Sequence, residues 1–153
     1  MNCLILLLSQ CFFTCTFFTE NENIKYQDNK KDGIELIISN IRNKKGIIRI
    51  GMYESDKGYP DNPEVSFSLA KDTIVSGNLR LFIPVKDPGS FGFSILDDEN
   101  ENGKMDYRLG IIPKEGFGFS NNPGIARKAP PFEQTSFKFT GGKKQITVRM
   151  VYI

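Results

Sequence analysis

The chain has 153 residues, a net charge of +2, 39% hydrophobic residues and no histidine. This length fits one domain with a single core. Because histidine is absent, catalysis by a Ser-His or Cys-His arrangement is excluded. Basic residues are spread along the chain and adjoin one another only in four scattered pairs, without a long basic run or a basic stripe among aromatic residues, so nucleic-acid binding is not indicated.

Residues 1–20 differ in composition from the rest of the chain. They contain the apolar run from Cys3 to Leu8, further phenylalanines, and no Lys, Arg or Asp. A transmembrane helix needs about 20 mostly apolar residues. The shorter, interrupted run predicts a signal peptide over 1–20, a polar lead-in over 21–32 and one mature domain over 33–153. We therefore expect a secreted or periplasmic protein without a transmembrane helix in the mature chain, although the leader lacks the usual basic start.

All three cysteines, Cys3, Cys11 and Cys15, lie in this leader. The mature domain therefore has no disulfide, and a zinc site with His or Cys ligands is excluded. The sequence Leu8-Ser9-Gln10-Cys11 approaches a lipoprotein cleavage box, but Gln10 is too large for it. A lipid anchor at Cys11 or Cys15 is an alternative that we do not favour.

Alternating apolar residues predict β-strands through most of the mature domain. In chain order the predicted strands span residues 34–38, 47–53, 65–69, 79–85, 91–95, 137–139 and 146–152. The turn at Asn43-Lys44-Lys45-Gly46 predicts that the first two strands form a hairpin. About seven short strands without an amphipathic helix favour an all-β, antiparallel β-sandwich.

Residues 97–133 do not continue this pattern. They are rich in Gly, Asn and Pro and predict one long irregular loop region. A loop of this length in a compact domain is usually functional or disordered. Functional residues are therefore expected here.

The segment Asp98–Asp106 carries oxygen-bearing side chains at its first, third, fifth and ninth positions. Such spacing is typical of calcium loops, and the expected ligands are Asp98, Asn100, Asn102, Asp106 and the backbone carbonyl of Lys104. A further ligand is expected from Asp97 or Glu115. An EF-hand is excluded, because its final glutamate position is Leu109; the nine-residue form resembles calcium loops of integrin-type propellers. Two carboxylates predict a weak site, with a dissociation constant of about 10⁻⁴ to 10⁻³ M. The alternative is a polar turn.

The segment Glu115–Asn122 has two interpretations. In the first, Glu115, Phe117, Phe119 and Asn121 form a ligand platform that offers aromatic faces to a sugar or peptide. In the second, which we favour, the aromatic rings pack over one end of the sandwich and the polar residues bind backbone groups.

Several segments together resemble a family of exported bacterial proteins, domain of unknown function 2141 (DUF2141). They are Pro88–Ile95, Asp98–Asp106, Gly110–Asn122, Pro131-Phe132 and Ile146–Tyr152. The resemblance covers about residues 33–153 and implies a small periplasmic or secreted sandwich of transthyretin-like or immunoglobulin-like type, with no assigned activity. Members usually have His at the position of Asp97 and Gly at that of Glu101, so a role for that imidazole does not carry over.

These features favour a non-catalytic binding or accessory module of the cell envelope or exterior. Its expected partner is an envelope protein or a glycan, and calcium is the expected cofactor. One alternative is a purely structural envelope component. Another is a glycoside hydrolase that uses carboxylates such as Glu115 and Glu133.

Overall fold

The computed structural model describes residues 32–124 and 128–153. The predicted signal peptide, the cysteines and all of the lead-in before Asp32 lie outside these residues. The strands are β1 (Gly33–Ser39), β2 (Ile47–Tyr53), β3 (Val65–Ala70), β4 (Leu79–Pro84), β5 (Gly89–Asp98), β6 (Tyr107–Arg108), β7 (Ile112–Pro113), β8 (Gly116–Phe119), β9 (Phe137–Phe139) and β10 (Lys143–Arg149). One short helix, α1 (Phe132–Thr135), precedes β9.

Two sheets form the body of the molecule. One has the order β10-β1-β4, and the other has the order β3-β2-β5-β8 with β9 beside β5. Strands β6 and β7 form a separate two-stranded hairpin. The predicted all-β sandwich is thus confirmed. Strand pairs are antiparallel except β1 and β10, which run parallel.

The core follows from strand alternation. Ile34, Leu36 and Ile38 of β1 are fully buried, as is Ile48 of β2, and they belong to one cluster with Phe93 of β5. Successive side chains of a strand point to opposite faces of its sheet. Each sheet therefore buries one apolar face, and each fully buried aliphatic side chain contributes about 1.5–3 kcal/mol.

The predicted hairpin of β1 and β2 is wrong. Strand β1 pairs with β4 and β10, whereas β2 pairs with β3 and β5, so the segment between them crosses from one sheet to the other. Asn40 and Gly46 in this segment both have positive φ, 64° and 67°. A Cβ at Gly46 would overlap the carbonyl oxygen of Asp98. Apolar alternation identifies the buried face of a strand but not its neighbour, which explains the error.

The region predicted to be one irregular loop contains regular structure. Strand β5 continues to Asp98, and β8 pairs with it from Ser94↔Phe119 to Asp97↔Gly116. Strand β8 reads Gly-Phe-Gly-Phe, and glycine is depleted in strands, so its sequence does not indicate one. The glycines serve packing: a Cβ at Gly116 would overlap the ring of Tyr152.

The two sheets meet along one flank of the sandwich. Phe117 of β8 and Val151 exchange backbone hydrogen bonds of 3.0 and 2.8 Å. On the other flank, β3 and β4 are the last strands of their sheets among the described residues. An open groove of about 320 Å³ lies between them, and its lining includes Phe67, Ile83 and Phe91.

Four segments gather at one end of the sandwich. The register places Ile47 opposite Asp98, and Gly116 opposite Asp97. In the sheet that contains β1 and β4, Ile38 lies opposite Leu79. The segments 40–46, 71–78, 99–115 and 150–153 leave the strands here, and we call this the loop end.

Candidate functional site at the loop end

Asp98 closes β5 and is fully buried. Its Oδ2 accepts hydrogen bonds from Nε of Arg49 at 2.5 Å and from the N–H of Gly103 at 2.9 Å, and its Oδ1 accepts the N–H of Asn102 at 3.1 Å. Burial acts to raise the pKa of Asp98, but these bonds outweigh burial and hold the pKa below its ordinary value. The carboxylate is therefore ionised, neutralised by Arg49, and fastens the start of the loop.

Asn100, Asn102 and Asp106 meet in the structure, whereas the sequence predicts that Asp98, Asn100 and Asn102 converge and that Asp106 closes the site. Oδ2 of Asp106 accepts hydrogen bonds from Nδ2 of Asn100 at 2.6 Å and of Asn102 at 2.9 Å. The Oδ1 atom of Asn100 accepts the N–H of Asn102 at 3.2 Å, and that of Asn102 accepts the N–H of Lys104 at 3.0 Å. These last two bonds are those of a polar turn. A bound cation would require the amide oxygens to turn toward Asp106.

The calcium site stays a prediction. Three of its four predicted side chains meet, and Asp98 lies beside them but faces Arg49. Within residues 32–124 and 128–153 there is no group of three or more His, Cys, Asp or Glu side chains placed to hold a metal ion.

The Glu115 carboxylate links the two ends of the segment 99–106 through backbone hydrogen bonds. Its side chain is buried; Oε1 accepts the N–H of Glu99 at 3.0 Å and Oε2 accepts the N–H of Asp106 at 3.2 Å. Burial raises the pKa of Glu115 above its ordinary value despite these two bonds, and the nearby Asp98 and Asp106 charges add to the rise. The carboxylate spans the base of the β6–β7 hairpin and binds backbone groups.

A buried charge network lies beneath the loop. Lys71 and Asp97 are both fully buried and form an ion pair, and the Tyr152 hydroxyl donates to Oδ2 of Asp97 at 2.6 Å. Burial and the bond to this carboxylate raise the pKa of Tyr152. Asp97, a candidate further cation ligand on sequence, is directed into this network. Sequence reasoning missed Lys71, because its partner is distant along the chain.

Arg42 connects this network to the hairpin. Its Nε contacts Oε1 of Glu99 at 2.6 Å, its Nη2 donates to the carbonyl of Lys114 at 3.2 Å, and its guanidinium lies 4.5 Å from the ring centroid of Tyr152. Charge-assisted bonds and cation–π contacts of this kind fix both partners. The base of the hairpin is therefore held to the segment that follows β1.

The residues predicted as a ligand platform are engaged within the fold. Phe119 is buried, with its ring centroid 6.1 Å from Tyr59 and 6.2 Å from the half-buried Phe117. Nδ2 of Asn121 donates to the carbonyls of Gln134 at 3.2 Å and Ser136 at 2.8 Å. Together with the buried Glu115, they have the placement expected for packing over the sandwich.

Glu115 and Glu133 lie at different places along β5. Glu115 precedes Gly116, which pairs with Asp97. Glu133 belongs to α1, and this helix packs against β5 at Gly92. The contact is so close that a Cβ at Gly92 would lie 2.8 Å from the ring of Phe132. Five residues of strand span about 17 Å, whereas paired glycosidase carboxylates are about 5–10 Å apart. The fold does not bring these two carboxylates together.

The loop end also exposes apolar side chains. Seven large apolar residues are exposed among the described residues, and five of them lie in the loop-end segments. These five are Val75, Tyr107, Leu109, Ile111 and Ile153. Sequence reasoning missed the set, because the residues are scattered through separate loops and only the strand register brings them to one end.

The tip of the β6–β7 hairpin has an unusual turn. Leu109 and Gly110 have positive φ, 52° and 73°, and the N–H of Ile111 donates to the carbonyl of Arg108 at 3.3 Å. These are features of a type I′ turn, which prefers Asn-Gly at its centre. A bulky residue with positive φ is rare and costs conformational energy. Leucine therefore occupies a position that the backbone disfavours for it.

Exposed charge differs between the loop end and two of the loops opposite it. The exposed basic residues at the loop end are Arg42, Lys44, Lys45, Lys104, Arg108 and Lys114, and the exposed acids there are Asp72 and Glu101. In the loops that join β2 to β3 and β4 to β5, the exposed acids are Glu54, Asp56, Asp61, Glu64 and Asp87, and the exposed bases are Lys57 and Lys86. Among exposed side chains, bases outnumber acids at the loop end, where the half-buried acids Glu99 and Asp106 also lie and Glu99 pairs with Arg42. In these opposite loops, exposed acids outnumber exposed bases.

The fold and this site define a small β-sandwich protein with one basic, partly apolar end. The model of a family described as uncharacterized proteins conserved in bacteria, DUF2141, matches residues 36–147, and the chain belongs to this family. The resemblance found in the sequence is thereby confirmed. Neither the search of curated proteins nor that of solved structures found a match. In the part of the chain that the structure describes, no helix is long and apolar enough to cross a membrane.

Proposed function

We propose that the protein is a non-catalytic binding module of the cell envelope or exterior, and that the loop end is its binding surface. The observation that carries this proposal is the concentration of exposed large apolar side chains there, led by Leu109 and Ile111. Exposed apolar clusters with a polar surround are typical of interaction sites. The apolar leader and the mature domain without cysteine support an exported protein.

The polar network beneath the loop end supports a binding role. Asp98, Glu115 and Arg42 fasten the loop and the hairpin base to the sandwich. A surface held in its bound conformation loses less entropy on association. The hairpin is therefore presented on a fixed base although its tip is exposed.

Calcium is an accessory element of the proposal. Asn100, Asn102 and Asp106 already converge, and an ion held by their oxygens would tighten the segment that leads into the hairpin. Weak affinity suits a calcium-rich exterior. The ion would have a structural role at this end.

Retention by envelope material tests the binding role. Purified protein is mixed with envelope fractions, sedimented and quantified beside a Leu109→Asn/Ile111→Thr variant. The matched control is Val65→Thr, which removes an exposed apolar residue from β3, away from the loop end. We expect the wild type and the control to be retained and the hairpin variant to be lost. Equal retention of all three proteins, or of none, would contradict the proposal.

A further inference from the structure

We propose that the loop end docks on the surface of an anionic lipid bilayer, with the tip of the β6–β7 hairpin entering the boundary between headgroups and acyl chains. This inference rests on the proposed function and assigns its partner. It concerns peripheral attachment through folded residues and is independent of any anchor in the leader.

The exposed side chains of the hairpin have the arrangement that a bilayer interface favours. Leu109 and Ile111, at the tip, are 85% and 76% exposed, and Tyr107, one strand residue behind the turn, is 51% exposed. Aliphatic side chains gain free energy in the acyl boundary, while tyrosine prefers the headgroup level. The order of the three residues along the hairpin matches this gradient of polarity.

Exposed cations flank the apolar tip along the chain. Arg108 and Lys114 lie on the hairpin and at its base, and Lys104 lies in the loop that leads to it. No acidic residue occurs between Tyr107 and Lys114. Each Lys or Arg near an anionic membrane surface is attracted to it. The cations therefore complement lipid phosphates at the depth where the headgroups would lie.

The difference in exposed charge between the loop end and the two opposite loops would orient the approach. Exposed bases outnumber exposed acids at the loop end, while the reverse holds in the loops that join β2 to β3 and β4 to β5. An anionic plane attracts the first end and repels the second, so the field turns the hairpin toward the membrane.

The turn at Leu109 indicates that this side chain serves contact with a partner and not the stability of the fold. Its φ of 52° suits asparagine or glycine, and the leucine side chain there is almost fully exposed. The residue therefore contributes little burial to the fold and occupies a disfavoured conformation. Replacing it with asparagine should improve the fold and weaken docking, and this opposite effect on two measurements separates a docking role from a structural role.

Vesicle sedimentation is the first test. Purified protein is mixed with vesicles of phosphatidylcholine alone or of phosphatidylcholine with phosphatidylglycerol, at low and high salt. We expect binding to the anionic vesicles only, reduced by salt. Leu109→Asn/Ile111→Thr should weaken it about tenfold or more. Arg108→Gln/Lys114→Gln should reduce the preference for phosphatidylglycerol, and Val65→Thr should bind as the wild type does.

Thermal unfolding of Leu109→Asn supplies the second measurement. We expect a melting temperature equal to or above that of the wild type, together with weaker binding to anionic vesicles. A lower melting temperature would show that Leu109 supports the fold and would overturn this step. Equal binding to neutral and anionic vesicles, or binding to neither, would overturn the inference itself.

The two proposals fail in distinguishable ways. If vesicles do not bind the protein but envelope fractions retain it through the hairpin, the lipid assignment is wrong and the partner is a protein or glycan. If envelope retention does not depend on Leu109 and Ile111 either, the proposed binding surface is wrong as well.

Discussion

At the scale of single residues, the loop end depends on buried polar groups that are paired. Lys71 and Asp97 have fully buried side chains in contact, and Tyr152 adds a hydrogen bond to the carboxylate. Removing one partner of a buried ion pair leaves an uncompensated charge, whereas replacing both can be neutral. Loss of one partner should therefore destabilise the fold strongly, although the intact pair contributes little net stability.

Replacement of Lys71 by methionine should destabilise the protein by about 3–5 kcal/mol. The ammonium is lost, while the carboxylate of Asp97 stays buried with only the tyrosine hydroxyl as a partner. Urea unfolding at neutral pH measures the effect. The double variant Lys71→Met/Asp97→Asn removes both charges and should recover part of the loss. A double variant no more stable than the single one would show that the charge pair is not the cause.

Tyr59 carries a buried hydroxyl that makes no hydrogen bond of ordinary geometry within the described residues, although the Thr135 side chain lies near it. Burial raises its pKa to about 12, against about 10 in an unfolded chain. Because the folded-state pKa is the higher one, the corresponding stability is present below about pH 10 and is lost as pH rises toward about 12. Tyr59→Phe should match or exceed the wild type at neutral pH and lose less stability in alkali.

The measurement is urea unfolding of both proteins across the alkaline range. Thr73→Ala, an exposed substitution, serves as a control and should follow the wild type. A Tyr59→Phe variant that is less stable at neutral pH would indicate that the hydroxyl has a partner.

Calcium at millimolar concentration should raise the melting temperature by a few degrees if the Asp98–Asp106 loop holds the ion. A ligand at about ten times its dissociation constant stabilises the folded state by about 1.4 kcal/mol. Asp106→Asn removes the carboxylate on which Asn100 and Asn102 converge and should abolish the shift. Thermal unfolding with calcium or with a chelator measures both. An unchanged melting temperature in the wild type would establish the polar-turn alternative.

At the scale of elements, strand β8 shows why glycine can be required inside a strand. Gly116 and Gly118 face the segment that contains Val148 and Tyr152, and a Cβ at either position would lie too close to those side chains. Because these glycines have no side chain, β8 can approach the end of β10, where the backbones of Phe117 and Val151 form hydrogen bonds. A composition that argues against a strand in isolation is thus what permits this one.

Gly116→Ala should therefore destabilise the protein by about 2 kcal/mol or more. The added methyl overlaps the Tyr152 ring, and moving that ring disturbs its bond to Asp97. The matched control is Gly124→Ala, at a position where a Cβ would meet no atom of the described residues within 4 Å. Urea unfolding should separate the two variants. Similar stability in both would mean that the ring moves aside without cost.

At the scale of the whole molecule, the sandwich is asymmetric along two directions. One flank is joined by β8 and the end of β10, while the other holds the open groove between β3 and β4. One end is basic and exposes apolar side chains, while the loops opposite are acidic. Both proposals depend on the second asymmetry, which the net charge of +2 does not reveal.

The sequence by itself determined the fold class, the positions of seven strands and the family. It also singled out Asp98, Asn100, Asn102 and Asp106 as one polar loop, in which the structure turns Asp98 toward Arg49. Alternation is local, so Ile34, Leu36 and Ile38 identify a buried face without reference to the rest of the chain. The spacing of the polar loop is equally local. These properties need only neighbouring residues.

Only the tertiary structure decided which strands pair and what the loop end presents. The partner of β1 is β10, from the other end of the chain, and the partner of Asp97 is Lys71. Leu109 and Val75 share an end because separate strands stop there. Pairing and charge division depend on contacts between distant residues, and a periodic pattern carries no information about which distant segment supplies the contact.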